Sequence, residues 1–271
     1  MGDASAGPDV RRFLAAIRVG DVCRGTVTAV TQSEMLVLLD DFTDRPLGKV
    51  GPLDGSWCRR FSDVAVVGQR VAGEVMAVDL DTGRVRLSMA ATENPELWAF
   101  LKRLRPGEFL SGTVAAIEPF GVFVALDEGP EHPVYPGVGF ITHPELSWRR
   151  FEAASDVVEI GQRVVCEFLQ FDTWNGEARL SLRATQPDPF IVFVDGIAVG
   201  QRLSGRVTKL VPFGVFVEVA DGIEGLVHLS ELSSVPVAAP EDVVQVGDQL
   251  TVVVTDIDPE RRRLSFSRRQ A

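Results

Sequence analysis

Phe213, Phe216, His228 and Arg263 carry the side chains with the clearest chemical potential in this chain, and they lie in three short apolar runs: PFGVFVEV (212–219), GLVHLS (225–230) and RLSFS (263–267). Two phenyl rings, an imidazole and a guanidinium are the groups that stack on unpaired bases and meet a phosphate. That chemistry needs all four on one surface. Reading each run as a strand of period two supplies it. Val215, Val217 and Val219 share one face, and Phe216 and Glu218 the other. His228 falls with Leu226, opposite Val227 and Leu229, and Arg263 falls with Ser265, opposite Leu264 and Phe266. Gly214 is the residue type that permits a bulge or sharp bend, which turns Phe213 to the outer side with Phe216.

The strands that must hold these groups belong to a repeat. Residues 199–232 recur, with losses, twice upstream. The starts are Val19-Gly20, Pro106-Gly107 and Val199-Gly200, and a second landmark recurs at Gly68-Gln69, Gly161-Gln162 and Gly247-Asp248. Each unit closes on a similar run: RVRLS (84–88), EARLS (177–181) and RLSFS. The 271 residues therefore divide into three small units rather than one large domain. Units this short bury roughly 60% of their surface, so packing against linkers or neighbours should contribute to their stability.

At these residues the third unit resembles the S1 RNA-binding domain, the module named after ribosomal protein S1. The family's signature has a glycine and valine in the first strand, Phe-Gly-x-Phe in the second and Gly-Leu-Val-His in the third. A Ser-Glu-Leu turn and an Asp shortly before an Arg complete it. Here these are Gly205 to Val207, Phe213 to Phe216, Gly225 to His228, Ser230 to Leu232, then Asp258 and Arg263. The resemblance implies an all-β fold with short linker helices: three tandem five-stranded OB-fold (S1-type) barrels. It also implies single-stranded RNA as the ligand. The candidate RNA-binding residues are Phe213, Phe216, His228, Arg263, Lys209 and Asp258 in the third unit, with Phe120 and Phe123 in the second.

The expected organisation is a degenerate barrel with an N-terminal helix over 1–90, a helical linker over 91–105, a second barrel over 106–184, a linker over 185–198 and a complete third barrel over 199–271. In PDVRRFLAAIR (8–18), Val10, Phe13, Leu14 and Ile17 have helical spacing and should lid the first barrel. That barrel keeps the inward set Met35, Val37 and Leu39. The positions of Phe213 and Phe216 hold Ser33 and Leu36, and that of His228 falls near Gly51. Only Asp79 and Arg84 survive from the outer-face set, and Trp57 reads as a packing residue. In ATENPELWAFLKRLR (91–105), Asn94 reads as a helix cap, Pro95 as the first helical residue, and Leu97, Phe100, Leu101 and Leu104 as one apolar stripe. The second barrel restores Phe120 and Phe123 to the outer face. It carries a longer loop, DEGPEHPVYPGV, has Thr142 where the third has His228, and has Glu177 facing the phosphate path where the third has Arg263.

Charge bounds the function. The net charge is −11. Basic and acidic residues number 13 and 14 over 1–103, 6 and 12 over 104–186, and 8 and 12 over 187–271. No unit is a cationic patch, so RNA binding must rest on stacking more than on counterion release. The densest positive run, RRRLSFSRR (261–269), lies beside the aromatic pair, where a phosphate backbone is expected. Cys23, Cys58 and Cys166 form no Cys-x-x-Cys pair, and the three histidines have no ligand or triad spacing. No metal, cofactor or catalytic constellation is expected, and the chain reads as non-enzymatic. The N-terminus has acids where a signal peptide needs bases, and no apolar run approaches membrane-spanning length, which points to a cytoplasmic protein.

The resemblance implies a translation-associated, mRNA-binding relative of the S1 family. Its third unit would be the main RNA platform and its N-terminal unit would dock on the small ribosomal subunit. The other class of function is a protein-interaction or regulatory relative that docks on the ribosome or RNA polymerase, with RNA contact incidental. The acidic second unit and Glu177 favour that second class modestly.

Overall fold

The computed structural model describes residues 7–235 and 237–271. It contains three closed five-stranded barrels. The first consists of β1 (Val22–Val30), β2 (Met35–Leu39), β3 (Gly48–Val50), β4 (Arg70–Asp79) and β5 (Arg84–Ser88). The second consists of β6 (Phe109–Glu118), β7 (Gly121–Leu126), β8 (Gly139–Thr142), β9 (Arg163–Asp172) and β10 (Glu177–Ser181). The third consists of β11 (Arg202–Val211), β12 (Gly214–Ala220), β13 (Ile223–His228), β14 (Gln249–Asp258) and β15 (Arg263–Ser267). In each, the first strand pairs with the second and the fourth, and the third runs parallel to the fifth, which closes the sheet. Closure removes free sheet edges, and alternation then separates core from surface.

The inward sets are those the period-two reading selects. Met35, Val37 and Leu39 are buried in the first barrel, and Val215, Val217, Val227, Leu264 and Phe266 in the third. Val219 is only partly buried, packed at the margin of that core, where the register shifts between Glu218 and Ala220. The helix α1 (Pro8–Ala16) buries Val10 and Leu14 within the first barrel's core, with Phe13 and Ile17 packed against it.

The linkers are packed elements. A single turn, α2 (Ala90–Glu93), and α3 (Pro95–Arg103) replace the one helix expected over 91–105. Asn94 sits between them at φ −128° and makes no side-chain capping bond; its buried amide nitrogen has no partner among the described residues. Leu97, Phe100 and Leu101 are buried as expected, and so is Trp98, outside the stripe. Beyond the short α4 (His143–Leu146) and the second barrel's last strands, α5 (Pro189–Asp195) adds Phe190 and Val194 to the third core. Its cap is Asp188, whose carboxylate accepts from the Phe190 N–H at 2.9 Å.

The barrels group into two compact units. One holds the first two barrels, through Leu146 and again over Ala153–Leu182. The other holds Ser147–Glu152 with Arg183–Ala271. In the β14–β15 turn, Arg262 has φ 53°, where the corresponding turns carry Gly83 (φ 67°) and Gly176 (φ 72°). A left-handed arginine costs about 1–2 kcal/mol. An ion pair with Asp188 and stacking over Phe190 and Trp148 offset that cost.

Candidate nucleic-acid interface

On the third barrel, Phe213 is 52% exposed, Phe216 is half-buried on the outer face, and His228 and Arg263 are exposed. Gly214 has to be glycine for a different reason than the one the sequence suggests. A Cβ there would lie 2.3 Å from the Val227 carbonyl oxygen, so the two strands approach only without a side chain. The expected bulge at Gly214 is instead in β11, between Val207 and Lys209. This matters for Lys209. Val207 is fully buried, and strict alternation would point Lys209 inward; the extra residue, Thr208, turns it outward, directly opposite Phe216.

The imidazole of His228 accepts at Nδ1 from the Ser230 N–H at 3.3 Å and lies 2.9 Å from the Ser230 hydroxyl, and its Nε2 makes no hydrogen bond among the described residues. Neither Phe213 nor Phe216 stacks on another ring among the described residues. The Asp258 carboxylate is engaged within its own turn. It accepts from the Arg261 N–H at 2.9 Å and closes the β14–β15 turn, as Asp79 and Asp172 close theirs. The basic run is also less available than it reads. Arg262 is committed to Asp188 and Arg269 to Glu231, while Arg261 lies near Asp258. Arg263 makes no ion pair among the described residues.

The second barrel's face is occupied by its own chain. Phe120 is 61% exposed, but Phe123 is only 3% exposed, so the expectation that both rings lie open on the outer face fails for Phe123. Tyr135, from the long loop, stacks on Phe123 at 4.9 Å and 19°, and His132 stacks on Tyr135 at 4.8 Å. Phe140, which pairs with Phe123 across the strands, is covered by the Arg179 guanidinium at 4.8 Å. Glu177 does not face a phosphate path. It is 2% exposed beneath this cover, beside Arg179 at 3.4 Å, and burial raises its carboxyl above the ordinary range. The length of the loop was the only sequence signal for this arrangement.

The pattern that defines the S1 RNA binding domain matches residues 103–183 and 197–269. The chain belongs to the S1 RNA-binding domain family. Its similarity to the small ribosomal subunit protein bS1 of Mycolicibacterium smegmatis is 42% identity over 219 residues, 79% of this chain and 44% of that protein. To bS1 of Neisseria meningitidis it is 30% over 264 residues, 94% of this chain and 44% of that protein. The chain thus spans under half the length of these relatives. Among solved structures, GSP13 from Bacillus subtilis is 36% identical over 27% of this chain and 56% of that one, at a TM-score of 0.26.

The first S1-type barrel lies outside the matched residues, yet its register is the same. Leu36 occupies the place of Phe216, and Gly51 follows Val50 in the place of His228. A Lys49–Glu34 ion pair at 2.6 Å crosses its face, and Arg84 donates to the Pro46 carbonyl at 2.7 Å. Trp57 does pack: its indole N–H donates to the Thr173 carbonyl at 3.0 Å, and its ring lies against Trp98 and His132. All three cysteines are free, and burial pushes the Cys166 thiol up to about 12. Among the described residues no group of three or more His, Cys, Asp or Glu could hold a metal, and no helix is long and apolar enough to cross a membrane.

His132 links this packing to pH. Its Nδ1 accepts from the N–H groups of Val134 and Tyr135 at 3.1 and 3.0 Å, and Nε2 donates to the Asn175 carbonyl at 2.9 Å, so the ring is held neutral. Burial lowers its pKa below the ordinary value, with the Asn175 bond working partly against that. Between the folded value and about 6.5 the unfolded chain binds more protons, so His132 contributes stability above about pH 6.5 that is lost as pH falls through the folded value. The raised Glu177 works in the opposite direction, so the comparison must isolate the imidazole. The first two barrels should melt lower at about pH 5.5 than at about pH 7.5, with the gap narrowed in His132→Gln. An unchanged gap would remove His132 as its source.

Proposed function

We propose that this chain is a non-catalytic single-stranded RNA-binding protein of the translation machinery, with the third S1 domain as its RNA platform. The observation that carries this reading is the pair of rings that stack on no other ring among the described residues, Phe213 and Phe216, on one face with Lys209, His228 and Arg263. A ring exposed beside cations has the chemistry to stack on an unpaired base while a phosphate is met alongside. Lys209 joins the site through the bulge, whereas Asp258 acts through the turn it closes. Phe120 and Phe123 are not an equivalent platform, because Tyr135 already fills the stacking position over Phe123.

The similarity to small-subunit proteins bS1 supports an association with mRNA and the small ribosomal subunit. The first barrel, stripped of stacking groups, is the candidate docking domain. The other reading, a regulatory or protein-interaction relative in which RNA contact is incidental, is favoured by the net charge of −11 and by the self-occupied second domain.

A binding titration and a sedimentation assay separate these readings. In fluorescence anisotropy, the full chain should bind a short labelled single-stranded RNA more tightly than the same sequence as a duplex. In sedimentation, it should travel with small ribosomal subunits. Ribosome association with no single-strand binding would overturn the RNA platform in favour of the docking reading.

A further inference from the structure

The segment Ser147–Glu152 follows the second barrel's α4 in sequence, yet it belongs to the compact unit of the third S1 domain. Trp148 is what pins it there. Its indole N–H donates to the Arg183 carbonyl at 2.8 Å, and the guanidinium groups of Arg183 and Arg262 lie over its ring at 4.4 and 4.8 Å. Arg262 reaches that ring from the turn position where the other two domains carry glycine. Two residues beyond Trp148, Arg150 lines a groove of about 480 Å³ on the outer face of the third barrel, with Phe216, Lys209, Arg206, Glu218 and Glu224.

The charges in this groove sort by strand register. Arg206, Glu218 and Glu224 lie in one row across β11, β12 and β13. Ser265 pairs with Leu226, so Arg263, two residues earlier, is level with Glu224. That row runs cation, acid, acid, cation and balances itself, with Glu218 also accepting from the Gly222 N–H at 3.1 Å. Lys209, in the adjacent row beside Phe216, is then left over, and so is Arg150, whose guanidinium has no hydrogen bond or ion pair among the described residues.

We propose that Arg150 is an RNA-binding residue of the third S1 domain, meeting the phosphate next to the base stacked on Phe216. The site is then composite. It is built from 147–152 together with the third repeat, and the repeat alone lacks one of its cations. The carboxylates of the groove do not compete for Arg150 at bonding distance, and a guanidinium beside an outer-face ring is suited to a phosphate oxygen. This inference rests on the RNA-binding reading above.

The test uses the full chain, a short fluorescein-labelled single-stranded RNA of mixed sequence and a salt series. With Arg150 and Lys209, the two cations left over, each neutralising a phosphate, the wild-type log-log slope should be roughly −1.4, at ~0.7 per phosphate on a single strand. Arg150→Ala should weaken binding about fivefold to tenfold at low salt and make the slope shallower by about 0.7, with unchanged melting. Arg150→Lys should restore the slope. Phe216→Ala serves as the control for the reading itself. If Phe216→Ala loses affinity while Arg150→Ala keeps wild-type affinity and slope, the inference fails and the reading stands. If Arg150→Ala melts lower and Arg150→Lys restores melting but not the slope, Arg150 only balances Glu218 and Glu224, and the inference fails. If the wild-type chain binds no RNA, both fall.

Discussion

Phe216→Ala in the full chain should lower affinity for single-stranded RNA by about 1–3 kcal/mol, the usual loss of one stacked base, and leave the third barrel folded. The two halves of that expectation have separate origins. The ring lies outside the third core, which is closed by Val215, Val217, Val227, Leu264 and Phe266. It lines the outer groove and stacks on no other ring among the described residues. Removing it therefore opens no core cavity, and surface changes away from special features usually stay within about 0.5 kcal/mol. A core phenylalanine would behave differently, costing about 3–5 kcal/mol on truncation and unfolding so small a barrel. Thermal melting and RNA titration of this variant decide between them. A large fall in melting temperature would place the ring in the core. Unchanged melting with unchanged binding would leave the barrel as described and end the case for the platform.

Trp57→Ala should have the opposite profile, destabilising the unit of the first two barrels by about 2–3 kcal/mol while leaving RNA affinity unchanged. Truncating a fully buried Trp costs about 3–5 kcal/mol, and Trp57 is half-buried, so the lower part of that scale applies. Its ring meets Trp98 at 5.9 Å and His132 at 6.0 Å, and aromatic pairs add about 0.5–1.5 kcal/mol beyond their area. It also holds the Thr173 carbonyl, and it lies so close over Gly176 that a Cβ there would sit 2.7 Å from the indole. The stack continues through His132 and Tyr135 to Phe123, so the residues that cover the second domain's face also tie that domain to the first. Denaturant melting of the full chain should show an earlier transition in Trp57→Ala and a smaller change in Trp57→Phe. A midpoint within error of wild type would mean that this stack contributes little.

Which residues face in and which face out within each strand is legible in the sequence alone, because alternation is a property of the local backbone. Alternation places Met35 and Val37 in one core and Val215 and Val217 in another, and it puts Phe216 outside. The family is legible too, since Phe-Gly-x-Phe and Gly-Leu-Val-His encode local geometry: a glycine where two strands touch, and an outward ring on either side of it. Three features emerge only in the folded chain. Lys209 faces outward because of a bulge at Thr208, and one extra residue in a ladder depends on the partner strand. Phe123 is covered because a loop folds back over its own barrel, and loop length alone does not say where Tyr135 and His132 come to rest. Arg150 reaches the third domain because Trp148 is held by Arg183 and Arg262, 35 and 114 positions further along the chain. Each of these depends on contacts between residues distant in sequence, which periodicity does not encode.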